Sequence, residues 1–342
     1  MRRNFLEQGF SLDSPHHLDS LPQSLSQWSL ALKTYPYQLC AEQGLVAGQA
    51  ALTGAYVLAW AKDLLLEDFI KLTQAIQQQP IQLCGVLPAA GNICVLLQSA
   101  GDSAWCKQQL EQAQLSFDAV ALASLPDLSQ AGVVLMDMDS TTIQIECIDE
   151  IAALANVGEE VSAVTAAAMR GELDFEQSLR TRVSKLKGAP ESILQQVADN
   201  MPLMPGLACL ISTIHDAGWK VAIASGGFTY FAERLQQDLG FDYVQANVLE
   251  IEQQSLTGQV LGGVVDAQVK ADILAQLKQR YGATQTMAIG DGANDLKMLA
   301  AADFGVAIHA KPLVQQQAQL AIKHSDLDGV VCILLAARMI AA

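Results

Sequence analysis

From Gly132 onward, short apolar runs alternate with amphipathic stretches: GVVLMD, WKVAIAS, DYVQANV, TMAIGD and FGVAI, each closing on polar residues. Runs of this length with little internal alternation suit strands buried on both faces, and helical patterns between them predict a parallel sheet covered on both sides. In open parallel sheets ligands lie beyond the carboxyl ends of the strands. The polar tips of these runs are therefore where chemistry is expected.

The alternation is interrupted between about 146 and 203 by helical patterns, IDEIAALA, EEVSAVTAAAMRG, FEQSLRTRVSKL and PESILQQVADN, which predict a helical cap inserted after the first strand. Later, ANVLEIEQQSLTGQVLGGVVD predicts a hairpin around a Thr-Gly turn. Upstream, from about 36 to 125, YVLAWA, LLEDFIKLTQAI, IQLCGVL, NICVLLQ, SAWCKQQLEQAQL and FDAVALA read as βαββαβ. That order matches a small α+β ferredoxin-like sandwich, the layout of ACT-like ligand-sensing domains, and suggests a regulatory or dimerising module. Residues 1–35, rich in Ser, Pro and His, predict an irregular lead-in. The expected division is 1–35, 36–125, and 130–342 with its cap.

A formal charge of −16 and a pI near 4.6 repel phosphate backbones and anionic bilayers, so neither nucleic acid nor membrane is an expected partner. The same charge would repel a phosphate ester unless a cation sits in the site. The seven cysteines, Cys40, Cys84, Cys94, Cys106, Cys147, Cys209 and Cys332, are scattered and form no CxxC pair, which predicts reduced core thiols. MRRNFLEQGF has no apolar signal region and no run approaches the ~20 apolar residues of a membrane span, so the expected location is cytoplasmic.

The strand VVLMD ends in Asp137-Met138-Asp139-Ser140-Thr141, two carboxylates one residue apart. Two acids so close repel unless a cation or a shared proton intervenes. Alone, the segment also reads as a solvated turn with capping Asp and Ser. Its company decides: Ser225-Gly226-Gly227 follows VAIA, Lys270 opens a helix, and Gly290-Asp291-Gly292-Ala293-Asn294-Asp295 follows MAI.

In this order, with the inserted cap, the four motifs resemble those of the haloacid-dehalogenase-type phosphatases over about 135 to 325. The implied fold is a Rossmann-like parallel sheet with a helical cap. The resemblance implies Asp137 as nucleophile and Asp139 as the acid that protonates the leaving alkoxide and then activates water. It implies Mg²⁺ held by Asp137, the Asp139 carbonyl, Asp291 and Asp295, the last directly or through water. Ser225, the Gly226 N–H, Lys270 and Asn294 would contact the phosphate, as a helix N-terminus and a point charge hold anions.

In the cap, Glu146 and Arg182 match contacts to a substrate's ammonium and carboxylate, while Met169 and Phe175 match apolar residues that close over it. Taken singly, Ser225 also reads as a helix cap, Lys270 as a solvated residue, and Met169 and Phe175 as core packing. The implied activity is hydrolysis of O-phosphoserine, a small-molecule substrate, to serine and phosphate in serine biosynthesis. Transfer of the phosphoryl group to another alcohol, and an idle sensor on the same scaffold, are the competing readings. A homodimer is compatible with the sequence.

Asp303-Phe304-Gly305 spells a kinase motif without its glycine-rich or HRD partners, so it reads as a turn entering FGVAI. His16 and His17 are neighbours that point apart, and His215, His309 and His324 are dispersed. None is an expected catalytic base.

Overall fold

The computed structural model describes residues 22–28, 37–40, 44–47 and 52–341. His16, His17, most of the expected lead-in and the side chain of Cys40 lie outside the described residues. Contacts divide the chain into two compact units, 1–127 together with 322–342, and 128–321.

In the first unit, strands β1 (Tyr37–Cys40), β2 (Gly44–Ala47), β3 (Tyr56–Ala61), β4 (Ile81–Ala89), β5 (Asn92–Ser99) and β6 (Asp118–Leu122) form an antiparallel sheet ordered β2-β1-β4-β5-β3-β6. Helices Leu66–Ile76 and Ser103–Ala113 connect β3 to β4 and β5 to β6, giving βαββαβ from β3 to β6. The first helix buries Leu66, Phe69, Leu72, Thr73 and Ile76, a stripe at helical spacing, and Asp68 accepts a hydrogen bond from the Leu65 N–H at its start (3.0 Å). The described part of the lead-in is not merely irregular. Leu25 and Trp28 are fully buried, and the Trp28 ring meets Phe69 edge-on at 5.0 Å.

The sequence carries the second domain through to residue 342, whereas the chain from 322 belongs to the first unit. Helix Leu327–Leu335 buries seven of its nine residues, Leu327, Gly329, Val330, Val331, Cys332, Ile333 and Leu334, so it has no polar face to show to water and covers β3, β4 and β5. Just before it, the N–H groups of Lys323 and Ser325 donate to the buried Asp118 carboxylate, each at 2.7 Å.

In the second unit the sheet order is β10-β9-β8-β7-β11-β12-β13. β7 (Gly132–Met136) is flanked by β8 (Lys220–Phe228) and β11 (Gln285–Gly290), and β9 (Tyr243–Glu252) and β12 (Phe304–Ile308) extend the parallel pairing. β10 (Ser255–Leu261) and β13 (Leu320–Ile322) lie at the edges. Val133, Val134, Leu135 and Met136 are all 0% exposed, and burial of side chains this size contributes roughly 1.5–3 kcal/mol each. That burial fixes the central strand and places Asp137 at its carboxyl end.

Four helices, Cys147–Leu154, Gly158–Met169, Phe175–Lys185 and Ser192–Ala198, form the insertion between β7 and the helix Leu207–Asp216 that leads into β8. The hairpin β9–β10 turns at Gln253–Gln254, not at Thr257-Gly258. A two-residue hairpin turn of type I′ needs positive φ at both centres, and these glutamines adopt 47° and 60°. Gly258 (φ 83°) instead lies where the β10 register shifts.

Of the described cysteines, Cys84, Cys94, Cys106, Cys147 and Cys332 are buried and free, and Cys209 is free but exposed. Among the described residues no helix is long and apolar enough to cross a membrane.

Candidate active site

Asp137 leaves β7 with its N–H still in the ladder, donating to the Ile289 carbonyl at 2.9 Å. The chain then folds back tightly: the Thr142 hydroxyl donates to the Asp137 carbonyl (2.6 Å), and Ser140 takes a positive φ of 56°. This turn directs the Asp137 carboxylate away from the strand. One oxygen accepts from the Met138 N–H (2.7 Å) and the other meets the Lys270 ammonium (2.7 Å).

Lys270 lies in the first turn of helix Ala267–Arg280, whose N-cap Asp266 accepts from the N–H groups of Gln268 and Val269. It is 0% exposed and also donates to Asp295 at 2.7 Å. Burial penalises the ammonium, yet Asp137 and Asp295 outweigh it and hold its pKa above the ordinary lysine value. Asp295 follows β11 in the short 3₁₀ turn Ala293–Asp295 and accepts from the Gly292 N–H (2.9 Å). Gly290 makes this approach feasible, since a Cβ there would stand 2.5 Å from the Asp295 carboxyl carbon. Asp291 accepts from the Thr141 hydroxyl at 3.0 Å.

Carboxylate oxygens of Asp137, Asp291 and Asp295 lie within 4.8 Å of one another. Burial, and after it Asp295, pushes Asp137 up and moves Asp291 to about 6. Three acids share one lysine, so the cluster is short of positive charge. A hard, oxygen-only donor set of this kind fits a divalent cation.

Asp139 points to the other side of the cleft, accepting from the Cys147 N–H at 3.1 Å. Burial and then Glu146 push its pKa up to about 7, where a carboxyl group can both give and take a proton at neutral pH. Glu146 precedes helix Cys147–Leu154 and accepts from the Ser140 hydroxyl (2.8 Å).

A cavity of about 410 Å³ joins these groups. Asp137, Asp139, Asp291 and Asn294 line its floor, Ser225 and Gly226 one wall, and Glu146, Phe175 and Arg182 the cap side. The Arg182 Nε is buried and has no hydrogen-bond partner, and burial lowers the guanidinium pKa. Phe175 starts its helix behind the N-cap Asp174, and its ring stands where a Cβ on Gly226 would be, at 2.7 Å, so the cap reaches the sheet there. The Met169 side chain lies outside the described residues.

One expected feature differs. Ser225 and Gly226 do not sit at a helix N-terminus: β8 continues to Phe228 and the next helix begins at Thr229. The pairing of β8 with β9 shifts register between Ala224 and Phe228, so the wall is a strand irregularity. Ser140 and Thr141, which hold Glu146 and Asp291, belong to the motif that ends the strand, whereas the sequence does not mark Thr142 and Cys147, which hold the Asp137 turn and Asp139, for the site, although their neighbourhood with the acidic pair is a usable signal. Asp303 is structural, its carboxylate accepting from the Thr286 N–H and hydroxyl, both at 2.8 Å. Among the described residues no histidine lines the cavity.

A buried carboxylate paired with an ammonium at a sheet's carboxyl edge, roofed by a cap, is suited to attack a small bound ester, and this defines a capped α/β hydrolase. The family model for haloacid dehalogenase-like hydrolases matches residues 132–303. A phosphoserine phosphatase of Vibrio cholerae is 61% identical over 225 residues, spanning 65% of this chain and 69% of its own. The crystal structure of a probable phosphoserine phosphatase from Vibrio cholerae, unliganded, aligns at TM-score 0.72 and 48% identity over 83% of this chain and 88% of that one. A phospho-aspartyl intermediate analogue of phosphoserine phosphatase aligns at TM-score 0.56 and 38% identity, over 59% and 97%. The chain belongs to the haloacid dehalogenase-like hydrolase family.

Proposed function

We propose that the protein hydrolyses O-phosphoserine to serine and phosphate, as a phosphoserine phosphatase of serine biosynthesis in the cytoplasm. The observation that carries this reading is the buried, unpartnered Arg182 Nε beside Glu146 in a cavity whose floor holds Asp137 and Asp139. A buried donor without an acceptor costs free energy, and a substrate carboxylate would relieve that cost. Glu146 supplies a countercharge for the substrate's ammonium. The names of the relatives agree with this assignment.

In the reaction, the Asp137 carboxylate attacks phosphorus as the bond to the serine oxygen breaks. Asp139 gives its proton to that oxygen. An aspartyl-phosphate remains on Asp137. Asp139, now a carboxylate, takes a proton from water as the water attacks phosphorus, and Asp137 leaves unchanged. Ser225, the Gly226 N–H and Asn294 hold phosphoryl oxygens, while Lys270 offsets the charge of Asp137 throughout.

Asp137, Asp291, Asp295 and the Asp139 carbonyl would hold Mg²⁺, which when bound supplies further positive charge to the phosphate. Phe175 excludes water, and Met169 is assigned to the same apolar closure.

The βαββαβ sandwich of the first unit is read as ACT-like, a regulatory or dimerising module. Phosphate release measured over a panel of phosphorylated metabolites, with Mg²⁺ and with chelator, tests the reading. Phosphoserine should be the best substrate and chelator should stop release. Preference for another ester would overturn the substrate assignment.

A further inference from the structure

β8 pairs with β9 at Ala222↔Tyr243, Ile223↔Val244 and Ala224↔Gln245, and the next pair is Phe228↔Asn247. Four steps along β8 therefore match two along β9. Three residues, Ser225, Gly226 and Gly227, thus stand against the single Ala246, and their peptide groups, partly buried, need partners outside the ladder. The Gly226 carbonyl accepts from the Asn247 side chain at 2.8 Å, and the Gly227 N–H donates to the Ser225 hydroxyl oxygen at 2.9 Å. Both ends of the Gly226–Gly227 peptide are thereby fixed.

Asn247 is 1% exposed, and its orientation is unambiguous. Its Oδ1 accepts from the Val265 N–H at 2.8 Å, and a backbone N–H can only donate. The amide nitrogen must then face Gly226. A serine hydroxyl has one proton and two lone pairs. With a lone pair of Ser225 taken by the Gly227 N–H, its single proton is left to donate, and Ser225 lines the cavity. A phosphoryl group offers acceptors, so a serine that must bind it has to be a donor.

We infer that Asn247, which does not line the cavity, is a positioning residue that acts through the Gly226–Gly227 peptide to hold the Ser225 hydroxyl as a donor to the phosphoryl group. The inference rests on the phosphatase reading of the cavity. It predicts that Asn247 and Ser225 act as one unit.

The test is a double-mutant cycle of Asn247→Ala and Ser225→Ala, run on phosphoserine and on an aryl phosphate, with melting temperature recorded for each variant. Asn247→Ala should lower kcat at least tenfold on both esters. The double variant should be no slower than Ser225→Ala alone, whereas a residue that only supports the fold would give losses that multiply. Asn247→Leu keeps roughly the volume of the side chain but offers the Gly226 carbonyl no donor in any protonation state. It should lose kcat to a similar extent while leaving a smaller cavity than Asn247→Ala, and it carries the test if Asn247→Ala does not fold. Multiplying losses, or a folded Asn247→Leu with wild-type kcat, would overturn the inference. A wild-type protein active on the aryl ester and inactive on phosphoserine would overturn the substrate assignment instead, and the cycle would still be readable on the aryl ester.

Discussion

The Lys270 ammonium stands 2.7 Å from the carboxylates of both Asp137 and Asp295, and neither Lys270 nor Asp295 has any solvent exposure. One cation is thus shared between Asp137 and Asp295, which leaves the pair with a net negative charge. Removing one partner of a buried ion pair typically costs about 3–5 kcal/mol because the other charge is left unpaired. Lys270→Met should lower the melting temperature most in chelator and less in excess Mg²⁺, with kcat down at least ~100-fold. Equal melting losses with and without metal would separate Lys270 from the acidic cluster.

Asp137→Asn keeps the shape of the side chain and removes the nucleophilic charge. Turnover should fall by at least ~10³-fold with circular dichroism unchanged, as expected for loss of a covalent nucleophile. Near wild-type kcat in this variant would sink the aspartyl-phosphate route.

Asp139 has two measurable consequences. Its pKa is raised from 3.8 to about 7 by burial and then Glu146, so folding favours its protonated form. The stability this protonation secures is complete below the unfolded value and is lost as pH rises to about 7, a span of roughly 4 kcal/mol at most. In chelator, wild type should therefore lose stability relative to Asp139→Asn between pH 4 and 7; parallel curves would contradict the raised value. Kinetically, Asp139→Asn should impair phosphoserine more than an aryl phosphate, whose leaving group needs little protonation.

If Arg182 holds the substrate carboxylate as proposed, Arg182→Ala removes a charge-assisted contact worth about 1.5–3 kcal/mol. The kcat/KM for phosphoserine should drop at least tenfold, and that for an aryl phosphate far less. A common factor on both substrates would place Arg182 with the phosphate or the fold, not with the amino-acid end.

A fragment spanning Leu128–Ala321 should fold and retain measurable turnover, because it is the compact unit that carries every site residue. Extending it to residue 342 without the first unit should make it aggregate, since Leu327–Leu335 would lose the strands that cover it. Light scattering on the two fragments distinguishes the cases; a monodisperse longer fragment would contradict the division.

The strands, the cap and the acidic tips were legible because they depend on local patterns: apolar runs of strand length, helical spacing, and acids or glycines where a strand stops. Asp137, Asp139, Asp291 and Asp295 stand out for that reason, whereas their roles and the choice of Lys270 rest on the resemblance of the four motifs to the haloacid-dehalogenase-type phosphatases. The Gln253–Gln254 turn was misplaced because glutamine carries no turn signature, and its positive φ is imposed by the register of β9 against β10. Asn247 reads in sequence as one more polar residue in a strand. Its role depends on a register shift in the neighbouring strand, and no periodicity within β9 encodes that shift.

The order of strands and helices and the chemical types at their ends are readable along the chain, since both follow from each segment's own side chains and backbone preferences. Which ends meet is settled by the fold in three dimensions. It brought Lys270 onto Asp137 across 133 positions, seated Asp118 under Lys323 and Ser325, and gave the last helix to the first unit. Such pairings form wherever burial leaves a charge or an apolar face without a partner, and that need is met by whatever the whole fold places nearby.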